Sequence, residues 1–254
     1  MKINLFDLTG KTALVTGGSR GLGLAMARGL GLAGARIILN GRNVDALHRS
    51  ASALCNDGIE VQISPFDVTN PDAVNRAIAE IENTQPVDIL LNNAGMQYRE
   101  ALETFPVDQW QRVMNTNCTS AFLVGQAVAR GMIARRQGKI INICSLMSEL
   151  GRPGIAPYAA SKGAVKMLTR GMCTDWAQYN IQVNGIGPGY FRTEMNIALS
   201  GDPAFSDWLC KRTPAGRWGE ADELTGAAVF LASSAANFVN GQILYVDGGL
   251  SACV

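Results

Sequence analysis

Two kinds of segment alternate along the chain. Short, nearly continuous apolar runs occur at "TALVTG", "RIILN", "VQISPF", "VDILLNN", "KIINICS", "IQVNGIGP" and "QILYVDGG", and stretches with apolar residues at helical spacing separate them. Continuous apolar runs of this length indicate strands that are covered on both faces. The alternation predicts an α/β fold, a Rossmann-like doubly wound parallel sheet of about seven strands with helices on both faces.

The chain shows no break that would separate two domains. It contains no linker, repeat or low-complexity run, so residues 1–254 are predicted to form a single domain. The least regular segment runs from Gly189 to Gly219, after the sixth apolar run, and contains Pro203 and Pro214. Ligands of doubly wound sheets lie beyond the carboxyl ends of the strands. We therefore expect a substrate lid around residues 189–219.

Composition narrows the classes of protein that fit this pattern. The 254 residues are 47% apolar and carry a formal net charge of +1, which argues against a nucleic-acid-binding surface. The cysteines form no C-x-x-C pair and His48 is the only histidine, so a zinc site is not expected. No apolar run approaches the roughly 20 residues of a membrane span, and the start lacks the features of a signal peptide. We expect a cytoplasmic protein without a nucleic-acid or membrane partner.

A glycine-rich turn follows the first predicted strand and opens a helix. In "TGGSRGLG", Gly17, Gly21 and Gly23 stand at G-x-x-x-G-x-G spacing. Glycines permit a tight turn and close backbone approach, and a helix N-terminus attracts a phosphate group, so the turn predicts a dinucleotide site. The Lys-Ser/Thr pair of nucleotide hydrolases is missing after the last glycine. A plain glycine-rich turn without a ligand remains the alternative.

The end of the second strand indicates which dinucleotide fits. Gly41 and Arg42 stand where an NAD-binding chain usually carries an acid that holds the ribose. An arginine there can pair with the 2′-phosphate of NADP, and Ser19 and Arg20 of the glycine-rich turn can reach the same group. These residues favour NADP over NAD as the cofactor. Ordinary solvated surface arginines are the alternative interpretation.

The stretch "YAASK" places a phenol and an ammonium four residues apart. On a helix, Tyr158 and Lys162 then lie on one face, one turn apart. Free tyrosine has a pKa of about 10, and a nearby ammonium is expected to lower the pKa of Tyr158 towards the working range. Ser145, at the end of the fifth strand, can donate to a substrate oxygen on which charge develops. Each residue alone also has a structural explanation, because Ser145 can cap a helix and Tyr158 can pack in the core.

All these pieces occur in the order and spacing of one family. The chain resembles the short-chain dehydrogenases/reductases over nearly its whole length, through Thr16-Gly17-x-x-x-Gly21-x-Gly23, Asn92-Asn93-Ala94-Gly95, Asn117, Ser145, Tyr158-x-x-x-Lys162 and Pro188-Gly189. The resemblance implies hydride transfer between an alcohol and a ketone, with Tyr158 exchanging the proton and Lys162 binding the nicotinamide ribose. It also implies that Asn117 holds a water connecting Lys162 to solvent. Asn117 can instead satisfy backbone groups of an irregular helix.

The resemblance, together with the argument on the 2′-phosphate, gives a set of predicted cofactor-binding residues. They are Gly17, Ser19, Arg20, Gly21, Leu22, Gly23, Arg42, Asp67, Val68, Asn93, Ala94, Gly95, Tyr158, Lys162, Pro188 and Gly189. Asp67, which the family places near the adenine, can equally be a turn or cap acid in "DVTNPD".

Four further stretches are similar to the gluconate 5-dehydrogenase group of that family. They are "NICSLMSELGR", "PYAASKGAVKMLTRGMC", "NIQVNGIGPGYFRTEM" and "WLCKRTPAGRWGE". The likeness implies reversible oxidation of a sugar acid, D-gluconate to 5-keto-D-gluconate. Besides Ser145 and Tyr158, we predict substrate contacts for Glu149 and Arg152. A carboxylate needs a cation, and the loops also offer Arg99, Lys211, Arg212 and Arg217.

Other readings stay open at this point. A reductase of the same family acting on a 3-ketoacyl thioester or a steroid would need a more apolar groove. A non-catalytic dinucleotide sensor would not need the Tyr-Lys pair, and a methyltransferase leaves Ser145, Tyr158 and Lys162 unexplained. The helical regions from Val107 to Arg136 and from Tyr158 to Asn180 carry apolar residues on more than one face. We therefore expect a homotetramer, the common assembly of the family.

Overall fold

The computed structural model describes residues 4–253, apart from the side chain of Met195. Within that range the strands are β1 Thr12–Val15, β2 Arg36–Gly41, β3 Val61–Pro65, β4 Ile89–Asn92, β5 Gly138–Ile143, β6 Ile181–Pro188, β7 Phe191–Arg192, β8 Gly219–Glu220 and β9 Ile243–Val246. The α-helices are α1 Gly21–Leu32, α2 Val44–Asn56, α3 Pro71–Thr84, α4 Val107–Met114, α5 Ser120–Arg135, α6 Ala156–Trp176, α7 Ile197–Ser200, α8 Pro203–Arg212 and α9 Thr225–Ala232. A π-helical turn, Asn115–Thr119, joins α4 to α5.

Seven of the strands described within residues 4–253 form one parallel sheet. Their spatial order is β3-β2-β1-β4-β5-β6-β9, and every neighbouring pair is parallel. Strand order reverses between β1 and β4, whose register sets Leu14 beside Leu90. The predicted doubly wound sheet is confirmed, and the crevice at this reversal is where such sheets bind ligands.

The sheet separates two apolar layers, because successive strand residues point to opposite faces. On one side Val15 and Leu39 pack with Met26 and Leu30 of α1 and with residues of α2 and α9. On the other side Leu14, Ile38 and Leu90 pack with residues of α3, α5 and α6. Burial on both faces explains why the strands read as continuous apolar runs. Within residues 4–253, none of the helices is both long and apolar enough to span a membrane.

The expected lid, residues 189–219, is more regular than its sequence suggested. It contains β7 and α7, then the ten-residue helix α8 and a short pairing of β7 with β8. Asp202 begins α8, because its carboxylate accepts hydrogen bonds from the amides of Ala204 and Phe205, and Pro203 occupies the first helical position. The expectation of an irregular segment was wrong, since Pro203 starts a helix there and does not interrupt one.

Candidate active site

The glycine-rich turn lies at the strand-order reversal and leaves an open face. Gly17 and Gly21 have φ angles of 61° and 55°, in the left-handed region that favours glycine. A Cβ added to Gly21 would meet nothing within 4 Å. Arg20, the N-cap of α1, makes no capping bond with its side chain, so the first amides of the helix keep free donors. This turn can receive a pyrophosphate.

Gly23 serves packing and not the open face. A Cβ there would lie 2.3 Å from Asn93 Nδ2 and 2.4 Å from the Gly17 carbonyl oxygen. Asn93 Nδ2 donates to the carbonyl oxygens of Thr16 and Gly17, at 3.1 and 3.0 Å. The amides of Asn93 and Ala94 donate in turn to Thr16 Oγ1, at 3.0 and 3.1 Å. The "NNAG" stretch therefore locks the glycine-rich turn in its shape.

The end of β2 leaves room beside Ser19. A Cβ on Gly41 would have ordinary contacts, 3.5 Å from Leu47 and 3.6 Å from Ser19 Oγ, so the space beside Ser19 is free. Arg42 follows directly and is exposed. Arg20, the third predicted contact, instead pairs with Glu194 of the lid at 3.1 Å in this structure. Ser19 thus borders the end of β2 next to Arg42, and their contact with a 2′-phosphate stays a prediction.

Asp67 is held by its own turn, as the alternative interpretation proposed. Its Oδ1 accepts from the amide and the hydroxyl of Thr69, at 2.9 and 2.7 Å. Burial opposes its ionisation, but these two bonds and the charge of Arg42 outweigh burial and lower the pKa of Asp67. Its neighbour Val68 is buried in the core, so any contact of Val68 with a cofactor runs through its backbone or edge.

The predicted catalytic groups converge on one side of α6. Lys162 Nζ lies 5.9 Å from the centre of the Tyr158 ring, so the two side chains share a face as the spacing predicted. Ser145 is buried and follows β5. Its side chain is close enough to the Tyr158 phenol to lower the pKa of that phenol. Its Oγ also accepts from the Met147 amide at 3.1 Å, so Ser145 caps the short helix Leu146–Ser148 as well.

Lys162 is buried, and a backbone carbonyl holds its side chain. It is 4% exposed, and its Nζ donates to the Ile143 carbonyl oxygen at 2.6 Å. A Cβ on Gly95 would lie 3.9 Å from Lys162 Nζ and 3.5 Å from Asn117 Oδ1, so both polar groups border the same small space. That space is compatible with the implied water between Asn117 and Lys162.

The π-helical turn explains how Asn117 reaches that space. Asn117 Oδ1 accepts from the Met96 amide at 2.7 Å, and its Nδ2 donates to the Met96 carbonyl and to Ser161 Oγ, both at 2.9 Å. The widened turn pushes Asn117 against the loop after β4, where it satisfies backbone groups. Both interpretations of Asn117 therefore have a structural basis, and π turns often occur at functional sites.

Protonation of the pair differs from the expectation. Burial raises the pKa of Tyr158, and the contact with Ser145 opposes that rise without cancelling it. Burial also lowers the pKa of Lys162 to about 8, so the ammonium is itself destabilised. The structure does not show the expected lowering of the Tyr158 pKa by Lys162. The four-residue spacing predicted that Tyr158 and Lys162 share a helix face, but it could not predict how deeply the two side chains are buried.

Two arginines influence Tyr190, which in turn influences Tyr158. Burial raises the pKa of the Tyr190 phenol, and the charges of Arg152 and Arg99 oppose that rise. Tyr190 in turn contributes to the raised pKa of Tyr158. Burial, and then the charge of Arg152, lower the pKa of Arg99. Arg152 Nε is buried without a hydrogen-bond partner, and its guanidinium lies 5.2 Å from the centre of the Phe205 ring of α8. The cluster offers cationic donors to an anionic ligand.

The remaining basic candidates have partners of their own. Lys211 pairs with Asp207 at 2.7 Å, Arg217 pairs with Glu223 at 2.7 Å, and Arg212 donates to the Cys253 carbonyl at 3.1 Å. Among the ion pairs of residues 4–253, neither Arg99 nor Arg152 has a carboxylate partner. Of the five basic candidates that the sequence offered, Arg99 and Arg152 are therefore the two best placed to bind a substrate carboxylate.

Glu149, the other predicted substrate residue, is engaged elsewhere. Its Oε1 accepts from Tyr245 Oη at 2.7 Å and also from Lys166 Nζ, and these bonds lower the pKa of Glu149. Within residues 4–253 no hydrogen bond joins Glu149 to Ser145 or Tyr158. Its proposed contact with substrate is therefore the weakest of the predicted set.

The rest of the predicted cofactor residues lie at the same edge of the sheet. Pro188 ends β6, and the amide of Gly189 donates to the Val246 carbonyl at 2.9 Å. Leu22 packs against the core from the first turn of α1. Tyr190 was not singled out in the sequence analysis, although it directly follows the Pro188-Gly189 pair, and that position was the one local signal for it.

Comparison with known proteins identifies the family of this chain. The family model for short chain dehydrogenases matches residues 11–204. The chain is 57% identical to gluconate 5-dehydrogenase of Gluconobacter oxydans, over 98% of this chain and 97% of that one. It is 53% identical to 5-keto-D-gluconate 5-reductase of Escherichia coli K12, over 99% of both chains. A crystal structure of a gluconate 5-dehydrogenase from Burkholderia cenocepacia, in complex with NADP and tartrate, superposes with a TM-score of 0.96 at 57% identity, over 98% of both chains. The implied family is confirmed, and this chain belongs to the short chain dehydrogenases.

Proposed function

We propose that this protein is an NADP-dependent oxidoreductase that reversibly oxidises D-gluconate to 5-keto-D-gluconate. The relatives named for this activity cover nearly the whole chain. The single observation that carries the proposal is the pair of arginines Arg99 and Arg152, which have no carboxylate partner among the ion pairs of residues 4–253 and whose charges act on Tyr190, a neighbour of Tyr158. A sugar acid brings a carboxylate to that pair and an alcohol to the phenol.

The residues present fit NADP. The open face at Gly21 and the free amides of α1 would hold the pyrophosphate. Ser19 and Arg42 would hold the 2′-phosphate, and Gly41 leaves room beside them without adding a negative charge. When bound, the nicotinamide supplies the hydride chemistry, which no side chain can perform. The relative with NADP in its crystal structure supports this choice.

Tyr158 and Ser145 handle the substrate hydroxyl. Ser145 donates to the reacting oxygen and holds it where negative charge develops. During oxidation Tyr158 takes the hydroxyl proton, and during reduction it returns that proton to the carbonyl oxygen. Because burial raises the pKa of Tyr158, the phenol is protonated at neutral pH and ready for reduction. Oxidation needs the phenolate and is expected to speed up as pH rises.

Lys162 and Asn117 support the phenol. Lys162, held by the Ile143 carbonyl, has a pKa of about 8 and is mostly protonated at neutral pH. Its charge faces the Tyr158 ring and favours the phenolate at the moment the phenol loses its proton. Asn117 borders the space next to Lys162, where a water would carry the proton onward.

The carboxylate of the substrate would bind between Arg99 and Arg152. Bringing a carboxylate there satisfies the buried Arg152 Nε and relieves the repulsion between the two guanidinium groups. A neutral polyol gains neither effect. Glu149, which lies on the same loop as Arg152, is also proposed to face the sugar hydroxyls, with the carboxylate oxygen that does not bind Tyr245.

The experiment is a substrate panel with a matched pair of variants. Purified protein with NADP is given D-gluconate, other aldonic acids and the neutral polyol D-sorbitol, and reduced nicotinamide is followed by absorbance. We expect turnover of D-gluconate with 5-keto-D-gluconate as product. Arg152→Gln should lower kcat/KM for gluconate at least about thirtyfold, since truncating one partner of a buried charge pair costs about 2–5 kcal/mol. Lys211→Gln, which removes an exposed cation, should change it less than about twofold.

Two results would contradict this proposal. The first is a preference for sorbitol over every acid, and the second is an equal loss in both variants. Turnover of a 3-ketoacyl thioester with none of any sugar acid would favour the rival reductase.

We also propose a homotetramer. Trp110 of α4, Phe122 of α5 and Met167 of α6 are large apolar side chains that remain 38%, 42% and 58% exposed in the single chain. They lie on the helical regions that the sequence marked as shared faces. Sedimentation equilibrium should give four times the 27.0 kDa mass of the chain, and a monomer at micromolar concentration would contradict the proposal.

A further inference from the structure

A short segment of chain after β5 is fixed to α6 at two points, and Ser145 lies between them. Lys162 Nζ donates to the carbonyl oxygen of Ile143, two residues before Ser145, at 2.6 Å. Ser148 Oγ, three residues after Ser145, donates to the backbone carbonyl oxygen of Lys162 at 2.9 Å. Both anchors therefore end on the same residue of α6, one on its side chain and the other on its backbone.

The Ser148 hydroxyl also holds Ser145 directly. Its oxygen accepts a hydrogen bond from the backbone amide of Ser145 at 3.2 Å. A hydroxyl has one hydrogen to donate and two lone pairs that accept, so Ser148 can make both bonds at once. The amide of Ser145 is thereby linked to the carbonyl of Lys162 through one oxygen atom.

This bond is the support of the Ser145 backbone. Within residues 4–253 the Ser145 amide makes no other hydrogen bond, and Ser145 is 8% exposed. A buried amide without an acceptor is costly, so without the Ser148 hydroxyl the amide should turn towards another acceptor. The Ser145 side chain would move with it, because the two are attached to the same Cα atom.

We propose that Ser148 is a positioning residue for the catalytic serine: its hydroxyl fixes Ser145 relative to α6, the helix that carries Tyr158 and Lys162. Ser148 does not touch the substrate, and its effect passes through Ser145. The inference rests on the proposed function in one respect, since it takes Ser145 as the residue that binds the reacting oxygen. A preorganised donor needs no rearrangement during the reaction, and a misplacement of about 1 Å can lower a rate about a hundredfold.

Two other roles of Ser148 predict different results. A helix cap without a part in catalysis would change the stability of the fold and leave the kinetic constants as they are. An effect through Lys162 would weaken NADPH binding, because Lys162 is assigned to the nicotinamide ribose. An effect through Ser145 lowers kcat and leaves the affinity for NADPH intact.

The test is a double-mutant cycle of Ser148→Ala and Ser145→Ala. Single-turnover reduction of 5-keto-D-gluconate by bound NADPH gives the rate of the chemical step, and steady-state rates give kcat and KM. Titration with NADPH gives the dissociation constant of the cofactor, and the melting temperature reports on the fold. If Ser148→Ala does not fold, Ser148→Cys takes its place, because a thiol is a weak donor and a weak acceptor.

Ser233→Ala is the matched control. Ser233 also caps a short helix: its Oγ donates to the Phe230 carbonyl at 2.9 Å and accepts from the Ala235 amide at 3.3 Å. It lines a cavity together with Gly138, at the amino end of β5, whereas Ser145 follows the carboxyl end. The control should lose stability as Ser148→Ala does and keep every kinetic constant within twofold of the parent.

We expect Ser148→Ala to lower the single-turnover rate and kcat about ten- to thirtyfold, with the NADPH dissociation constant within twofold of the parent. Ser145→Ala should lose about a hundred- to a thousandfold. In that background Ser148→Ala should change the rate less than about threefold, because the group that it positions is gone. An unchanged rate in Ser148→Ala, losses that multiply fully in the double variant, a weaker NADPH affinity in step with the rate, or an equal loss of rate in Ser233→Ala would each overturn the inference.

The outcomes also separate this inference from the proposed function. If the parent protein reduces a 3-ketoacyl thioester and no sugar acid, the proposed function fails. The same cycle on that ketone then decides the role of Ser148, because Ser145 would hold the carbonyl oxygen of either substrate. If the parent protein reduces neither ketone, the catalytic assignment of Ser145 is refuted, and the inference about Ser148 with it.

Discussion

Gly41→Asp is expected to turn the cofactor preference from NADP towards NAD. Gly41 ends β2 beside Ser19, and its backbone is not in the left-handed region, so an aspartate can be built there without strain. Its Cβ would have ordinary contacts, at 3.5 Å from Leu47 and 3.6 Å from Ser19 Oγ. The new carboxylate would stand where chains that bind NAD carry an acid for the ribose hydroxyl.

The size of the effect follows from Coulomb repulsion. With Ser19 as a phosphate contact, the carboxylate and the 2′-phosphate would be about 5 Å apart. For a phosphate charge near −2 and an effective dielectric constant of about 60 at this exposed position, the repulsion is about 2 kcal/mol. That corresponds to a roughly thirtyfold loss of NADP affinity, and it comes before any gain of NAD affinity from hydrogen bonds to the ribose.

Binding of both reduced cofactors to Gly41→Asp and Gly41→Ala tests this reasoning. The alanine variant fills the same space without charge, so it should stay within about threefold of the parent for NADPH and NADH. The aspartate variant should lose about thirtyfold for NADPH at low salt, less at high salt because of screening, and nothing for NADH. Equal losses for NADPH and NADH, or a loss already complete in Gly41→Ala, would refute the assignment of this pocket to the phosphate.

The two remaining perturbations address the turn and the buried lysine. Gly23→Ala should weaken NADPH binding at least tenfold and lower the free energy of unfolding by roughly 1–3 kcal/mol, because its Cβ would lie 2.3 Å from Asn93 Nδ2. Calorimetry measures both the binding and the unfolding. The control variant Gly226→Ala, whose Cβ would lie in open space, should show neither loss. Lys162→Met should abolish turnover yet stabilise the fold at pH 7, since burial lowers the pKa of Lys162 from 10.5 to about 8. Between those pH values the unfolded chain keeps a proton that the native chain has lost, so the parent gains stability as pH rises, and the advantage of Lys162→Met should shrink by on the order of 3 kcal/mol. Urea unfolding at pH 7 and pH 10 measures this, and an advantage that is independent of pH would contradict the assigned burial of the charge.

The strands and most helices could be predicted because their signals are local. Val15 and Leu39 belong to continuous apolar runs, which only a doubly covered strand explains. The helix α8 was missed although its signal was also local. Asp202 followed by Pro203 is an ordinary helix start, but the prolines of this segment suggested an irregular lid.

In the site, too, the local features could be predicted and the long-range contacts could not. The spacing of Tyr158 and Lys162 fixed their common face, yet burial, which sets their pKa values, depends on residues brought in by other strands and loops. Arg99, Arg152 and Tyr190 come from three separate loops. No local sequence pattern could therefore predict that they influence one another. The same long-range contacts decide which of the candidate cations are neutralised by a partner.

Glu149 illustrates how a distant partner changes a prediction. In the sequence Glu149 stands three residues before Arg152, in a loop that was expected to border the site. A carboxylate that accepts from sugar hydroxyls and a cation that binds the acid group are both groups that a sugar-acid site needs. In the structure Tyr245 of β9 and Lys166 of α6 bind its carboxylate. Tyr245 follows Glu149 by 96 positions, and the pairing depends on β9 lying beside β6 in the sheet.

Tyr158→Phe tests the central claim most directly, because it removes one oxygen and leaves the ring in its place. The measurement is single-turnover reduction of 5-keto-D-gluconate by bound NADPH, alongside the NADPH dissociation constant. If the phenol beside Lys162 supplies the proton, the rate should fall at least a thousandfold while NADPH affinity stays within about threefold of the parent. A variant that keeps more than a few per cent of the parent rate would contradict the account.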